Sequence, residues 1–142
     1  MRKSVTAAVI MAGLMPLAAC AGGQASSMPS AAAAAECLDA TNIAMNGIMK
    51  GATGEGMTFV SAKAIKSPDF AKVYFIAMKF SAAGVEDQVG VWASNSLEPG
   101  GGLIMAIDGV AQQFSDWGPG SSTAAKISAA DPSVAAAESC LR

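Results

Sequence analysis

The chain has 142 residues, 14% of them charged, with nine Lys or Arg, eleven Asp or Glu and no histidine. Without histidine, Ser-His-Asp and Cys-His catalytic systems and the common zinc sites are excluded. The length predicts one folded domain, and a net charge of −2 provides no basic surface for nucleic acid.

The first residues have the pattern of an export signal. Arg2 and Lys3 precede the apolar residues 5–14, and Pro16 interrupts this stretch just before a run of small residues. A charged start, an apolar middle and small residues at the end are typical of a cleaved signal peptide. A membrane-spanning helix is the rival interpretation, but it needs about 20 apolar residues in succession. We therefore expect residues 1–19 to be removed.

The four residues Leu17, Ala18, Ala19 and Cys20 resemble the lipobox of bacterial lipoproteins, in which a leucine and two small residues precede a cysteine. The resemblance implies cleavage after Ala19, a diacylglycerol thioether on Cys20 and a further acyl chain, such as palmitate, on the new amino terminus. Two or more acyl chains anchor a protein stably, whereas one binds weakly. We therefore expect a lipid anchor that holds the protein on the extracytoplasmic face of the cell membrane. An ordinary secretory signal that ends near a cysteine is the alternative.

The mature chain divides into two parts of different composition. Residues 20–35 contain Cys20 followed by Ala, Gly, Ser, Gln, Met and Pro without any charge, which is typical of a flexible tether. Residues 36–142 contain all the aromatic residues and are predicted to form a single small domain.

Two cysteines remain once Cys20 carries lipid. Cys37 and Cys140 lie near the two ends of the predicted domain. An exported protein meets an oxidising environment, which favours a disulfide between them. Two buried free thiols are the alternative. A redox pair is disfavoured because no Cys-x-x-Cys motif is present.

Hydrophobic patterning in residues 36–142 predicts three helices and four strands. The helices are expected over residues 36–50, over residues 109–117 with Asp108 as N-cap, and after Asp131 with Pro132 at the first position. The strands are expected over residues 57–66, 72–80, 88–94 and 103–107. Residues 72–80 are apolar on both faces, which predicts a central strand covered at least in part on each side.

The order of these elements predicts an α+β domain. Consecutive strands joined by short turns favour an antiparallel meander of about four strands. The N-terminal helix and the two C-terminal helices are expected to pack on one face of this sheet.

Carboxylates are the candidate catalytic groups. Glu86, Asp87 and Asp116 could serve a small carboxylate-based enzyme of the cell envelope, or an accessory subunit of one, if two or more met in one cleft with raised pKa values. Glu86, Asp87 and Glu98 lack the spacing of a calcium-binding loop. Adjacent acids at a turn between strands are more typical of solvated surface. The sequence therefore predicts no catalytic residue, no metal site and no cofactor.

Two other patterns favour structural roles. Residues 51–56 are rich in glycine but lack the Gly-Lys-Ser/Thr ending of a phosphate loop, so they are interpreted as a turn. Trp92 and Trp117 could stack on a ligand. Trp92 lies on a predicted strand and Trp117 on the apolar face of a predicted helix, so both are assigned to the core.

Residues 89–96 and 107–117 resemble small exported domains of unassigned function in high-GC Gram-positive bacteria, and this resemblance implies no particular activity. The anchor, the tether and the lack of a catalytic residue set favour a non-catalytic domain. Its expected partners are the membrane, through the lipid, and an envelope protein or a small ligand.

Overall fold

A computed structural model describes residues 35–99 and 102–142 of the chain. The predicted signal peptide, Cys20 and almost all of the predicted tether lie outside the described residues. The described residues belong to one structural unit. None of their helices is long and apolar enough to cross a membrane.

An antiparallel sheet forms the centre of the described part of the chain. Its five strands are β1 (Leu38–Asp39), β2 (Thr58–Lys66), β3 (Tyr74–Ala82), β4 (Val85–Ser94) and β5 (Ile104–Ala106). Each strand pairs with the next one along the chain, in the order β1-β2-β3-β4-β5. The predicted antiparallel meander is therefore confirmed.

The sequence prediction missed strand β1. Four strands were expected, but Leu38 and Asp39 pair with Ala64 and Lys63 and add a fifth strand at the edge of the sheet. A strand of two residues is too short to show the alternation by which strands are recognised. The prediction placed both residues in a helix instead.

Helices account for the rest of the α+β class. The three described helices are α1 (Thr41–Asn46), α2 (Gly109–Phe114) and α3 (Pro132–Ser139), with 3₁₀ turns at Ile48–Gly51 and Gly120–Ser122. The helix expected over residues 36–50 is therefore wrong in extent. It begins only after Asp39, whose Oδ1 accepts a hydrogen bond of 3.1 Å from the Thr41 N–H. Gly47 then leaves helical geometry at φ −122° and ψ −73°.

The helix expected over residues 109–117 is also shorter than predicted. It ends at Phe114 because Ser115 is extended, with φ −149° and ψ 155°. Ser115 forms an isolated antiparallel bridge with Ala52. Pairing with another segment therefore stops the helix before Trp117.

The predicted N-cap Asp108 and the predicted helix start at Asp131 and Pro132 are both confirmed. The Asp108 side chain accepts a hydrogen bond of 2.7 Å from the Ala111 N–H at the start of α2. Asp131 accepts one of 2.8 Å from the Ser133 N–H, and proline occupies the first turn of α3. Such caps satisfy N–H groups that have no partner within the helix.

Helices cover both faces of the sheet, so the expectation that they pack on one face is wrong. Alternate residues of β3 belong to different buried clusters. Ile76 and Met78 pack with residues of α1 and α2, whereas Phe75 and Ala77 pack with residues of α3. A sheet face that carries apolar side chains must be buried against another layer. The predicted two-sided burial of this strand is thus confirmed, and α3 provides the second cover.

Candidate functional site

A cleft of about 310 Å³ opens between α3 and strands β3 and β4. Its lining residues, which we call the charged cleft, are Lys79, Asp87, Val89, Glu138, Leu141 and Arg142. The first three belong to β3 and β4, and the last three to the end of α3 and the residues that follow it. The cleft therefore presents two cations and two carboxylates around two apolar side chains.

Strand alternation positions the sheet side of the cleft. Phe75 and Ala77 of β3 pack in the cluster that α3 covers. Lys79 is two residues further along the strand, so its side chain lies on the same face. Val89 is the partner of Lys79 in β4, and directly opposite residues share a face. The sheet thus places a cation and an apolar side chain next to each other.

Lys79 and Asp87 form an ion pair, with the Lys79 Nζ 2.8 Å from the Asp87 Oδ1. Asp87 has a φ of 55°, in the left-handed region that aspartate tolerates better than most residues. It lies at an irregularity in the β3–β4 pairing, and such bulges redirect side chains. An exposed pair of this kind contributes little to stability. It places one cation and one carboxylate next to each other in the cleft.

Glu138 and Arg142 supply the charges on the α3 side. They lie four residues apart, at the end of the helix and just beyond it. Among the described residues, ion pairs join only Lys79 to Asp87 and Lys63 to Asp39. Glu138 and Arg142 are therefore not joined in an ion pair. Their charges face the cleft without a described counter-ion.

A disulfide restrains the α3 side of the cleft. Cys37 and Cys140 form the predicted pair, with their Cα atoms 5.7 Å apart. Cys140 directly precedes Leu141, and the Leu141 N–H donates a hydrogen bond of 3.1 Å to the Glu138 carbonyl oxygen. The covalent bond therefore ties the residues after α3 to the segment that leads into β1.

Asp108 lies near Glu138 without lining the cleft. Burial raises the pKa of Asp108 above its ordinary value of 3.8, and the Glu138 carboxylate raises it further, although hydrogen bonds from the Ala111 and Val91 N–H groups lower it. The two carboxylate oxygens accept those backbone hydrogen bonds. Asp108 is therefore a structural residue.

The three carboxylates considered for catalysis do not meet in this cleft. Asp87 lines it, whereas Glu86 and Asp116 are exposed and are not part of its lining. Asp116 follows α2, which packs on the opposite face of the sheet from α3. Glu98 is exposed in the loop after β4. The arrangement required of a carboxylate-based enzyme is therefore not formed by Glu86, Asp87 and Asp116.

Trp92 lies in the hydrophobic core, and Trp117 packs against it. Trp92 is fully buried, and its indole N–H donates a hydrogen bond of 3.1 Å to the Ser115 Oγ. Trp117 is partly buried against the cluster that contains α1. Its indole N–H donates a hydrogen bond of 3.0 Å to the Ile48 carbonyl oxygen. Trp117 also borders a depression of about 160 Å³. The assignment of Trp92 to the core is confirmed, whereas Trp117 packs at the edge of the core and outside the predicted helix. Both indole N–H groups donate hydrogen bonds within the protein.

Most of the charged cleft was missed by sequence reasoning. Lys79 lies in a predicted strand, and Glu138 and Arg142 lie in or beside the last predicted helix, but no motif joins them. The spacing of four residues between Glu138 and Arg142 was the one available signal, since such residues are neighbours on a helix. Within the described residues, no group of three or more Cys, Asp or Glu side chains is arranged to hold a metal ion.

Comparisons with protein-family models, with curated proteins and with solved structures found no match to this chain. The functional argument therefore depends on the residues of the charged cleft and on the pattern of the first 20 residues.

Proposed function

We propose that the protein is a lipid-anchored lipoprotein of the bacterial cell envelope, with a domain that binds an envelope protein or a small ligand and catalyses no reaction. The observation that carries the binding role is the charged cleft, in which Glu138 and Arg142 have no described ion-pair partner. Charged groups held in a concavity are suited to orienting a ligand.

Two features support the location. Leu17 to Cys20 resemble a lipobox, and the preceding residues have the pattern of a signal peptide. The Cys37–Cys140 disulfide is typical of proteins in oxidising compartments, because the cytosol keeps thiols reduced. The disulfide thus supports an extracytoplasmic location, and the lipobox pattern supports attachment to the membrane through Cys20.

Two features support binding without catalysis. The chain has no histidine, which removes the commonest general base. Glu86 and Asp116 lie away from the charged cleft, so Asp87 is the single member of the predicted carboxylate set that lines it. Asp87 is itself paired with Lys79, which suits it to shaping a binding surface.

The anchor is tested by Cys20→Ser in the full chain. We expect the unaltered protein to partition with membranes and to carry acyl chains on Cys20 by mass spectrometry of the mature protein. The variant is expected in the soluble fraction. An unmodified Cys20, or equal partitioning of both proteins, would contradict the lipoprotein proposal.

The binding role is tested by the double variant Glu138→Gln with Arg142→Gln. The mature protein, immobilised, is exposed to envelope extract, and retained proteins and small molecules are identified by mass spectrometry. The matched control is Glu55→Gln with Lys66→Gln, which changes the same charges at exposed positions outside the cleft. We expect the control to retain what the unaltered protein retains, and the cleft variant to lose it. Identical retention by both variants would contradict a binding role for the cleft.

A further inference from the structure

The cleft is lined by side chains of both charges and by two apolar side chains. On the sheet side Lys79 and Asp87 already neutralise each other at 2.8 Å. On the α3 side Glu138 and Arg142 carry opposite charges and have no described ion-pair partner. A ligand that meets the α3 side of the cleft therefore encounters the Glu138 carboxylate near the end of the helix and the Arg142 guanidinium just beyond it.

Glu138 supplies the carboxylate on the α3 side of the cleft, and the residue is partly buried. An ammonium group suits this position because it donates hydrogen bonds to carboxylate oxygens.

The guanidinium end favours a carboxylate. Arginine presents its donors in a planar fork that matches the two oxygens of a carboxylate. Lys79 adds a second positive charge to the cleft, although Asp87 offsets it. Val89 and Leu141 also line the cleft and are half-buried, so they provide apolar contact for a ligand.

From this arrangement we infer that the charged cleft binds a small zwitterion of dipeptide size, with its ammonium group at Glu138, its carboxylate at Arg142 and its side chains against Val89 and Leu141. This inference rests on the proposed binding function and specifies its ligand class. The volume of about 310 Å³ is at the small end of ligand sites, which agrees with such a ligand. A polyanion is disfavoured by Glu138 and Asp87.

The probe is the dipeptide alanyl-alanine, with N-acetyl-alanyl-alanine and alanyl-alanine amide as singly charged analogues. Each is titrated into mature protein carrying Cys20→Ser, which removes the lipid, and backbone amide shifts are followed by NMR. We expect saturable shifts at Val89, Leu141 and Arg142 with the zwitterion. The acetyl group and the amide group are each expected to weaken binding about tenfold, because each removes one charge-assisted hydrogen bond.

Variants assign each end of the ligand. Glu138→Gln is expected to weaken the binding of alanyl-alanine about tenfold and to leave the affinity for the N-acetyl analogue unchanged. Arg142→Gln should weaken the binding of alanyl-alanine to the same extent and leave the affinity for the amide analogue unchanged. Glu55→Gln and Lys66→Gln, at exposed positions outside the cleft, are expected to change nothing.

Absence of saturable shifts at millimolar alanyl-alanine would overturn the zwitterion inference, as would equal affinity for the zwitterion and its capped analogues. If the cleft variants then still lost retention of an envelope component, the proposed binding function would stand with a different ligand. If the protein did not bind alanyl-alanine and the cleft variants still retained every envelope component, both proposals would fail.

Discussion

The Asp108 Oδ2 accepts a hydrogen bond of 3.0 Å from the backbone N–H of Val91. The neighbouring Ile107 N–H donates to the Val91 carbonyl oxygen at 2.9 Å, so the carboxylate takes the place that a strand carbonyl would otherwise occupy. The Asp108 Oδ1 accepts from the Ala111 N–H at 2.7 Å. One side chain therefore ends the pairing of β4 with β5 and begins α2.

Asp108→Asn should lower the free energy of unfolding by about 1–3 kcal/mol, because an amide has a single acceptor atom and one buried N–H then loses its partner. Urea denaturation at neutral pH measures the change. Asp116→Asn is the control. Because Asp116 is exposed, this substitution is expected to leave the free energy of unfolding unchanged. Equal stability of Asp108→Asn and the unaltered protein would contradict the role given to this carboxylate.

The same residue predicts a pH dependence. The pKa of Asp108 is raised in the folded protein, so the folded state holds this proton more tightly than the unfolded state does. Its contribution to stability is therefore fully present below the unfolded pKa and is lost as the pH rises through the folded pKa. The stability advantage of the unaltered protein over Asp108→Asn should therefore shrink as the pH rises above the ordinary aspartate pKa of 3.8. An advantage that grows over this range would contradict the raised pKa.

Local signals in the sequence were sufficient for much of the fold. Asp108 was recognised as an N-cap, and Asp131 with Pro132 as the start of a helix, because such residues before an apolar periodic stretch are helix-start signals. Strands β2, β3 and β4 were recognised by alternation or by apolar residues on both faces. The Cys37–Cys140 pair followed from counting cysteines in an exported chain. Each of these inferences needed only nearby residues or a count.

The features that were missed depend on contacts between distant residues. Strand β1 exists because Leu38 and Asp39 meet β2, and α2 ends early because Ser115 meets Ala52. The charged cleft joins Lys79 to Glu138, from elements that no local pattern connects. Packing in three dimensions overrides local preference at all these points.

Gly51 has a packing role that the turn interpretation did not anticipate. A Cβ at this position would lie 2.5 Å from the Trp117 Nε1, so the indole ring packs directly on the glycine. Gly51→Ala should displace Trp117 from its hydrogen bond to the Ile48 carbonyl oxygen. Overpacking of this kind costs about 1–3 kcal/mol. Urea denaturation measures the loss, and a red shift of tryptophan emission should accompany it.

Gly109→Ala is the matched control for this substitution. A Cβ at Gly109 meets no atom within 4 Å, and the residue is the first of α2. Alanine is a better helix former than glycine by up to about 1 kcal/mol, so stability should stay equal or rise slightly. Similar losses in Gly51→Ala and Gly109→Ala would show that contact with Trp117 is not the cause.

The Cys37–Cys140 disulfide spans 103 residues and so restricts most of the unfolded chain. Replacing both cysteines with serine should lower the free energy of unfolding by about 2–4 kcal/mol, because the unfolded state regains the entropy of an open loop. Urea denaturation of the unaltered protein, with and without a thiol reductant, should reproduce the difference. Cys20→Ser is the control, because it removes the lipid and leaves the disulfide intact, and its stability should match that of the unaltered domain. A reductant that leaves the unfolding midpoint of the Cys20→Ser protein unchanged would contradict a stabilising bond between β1 and α3.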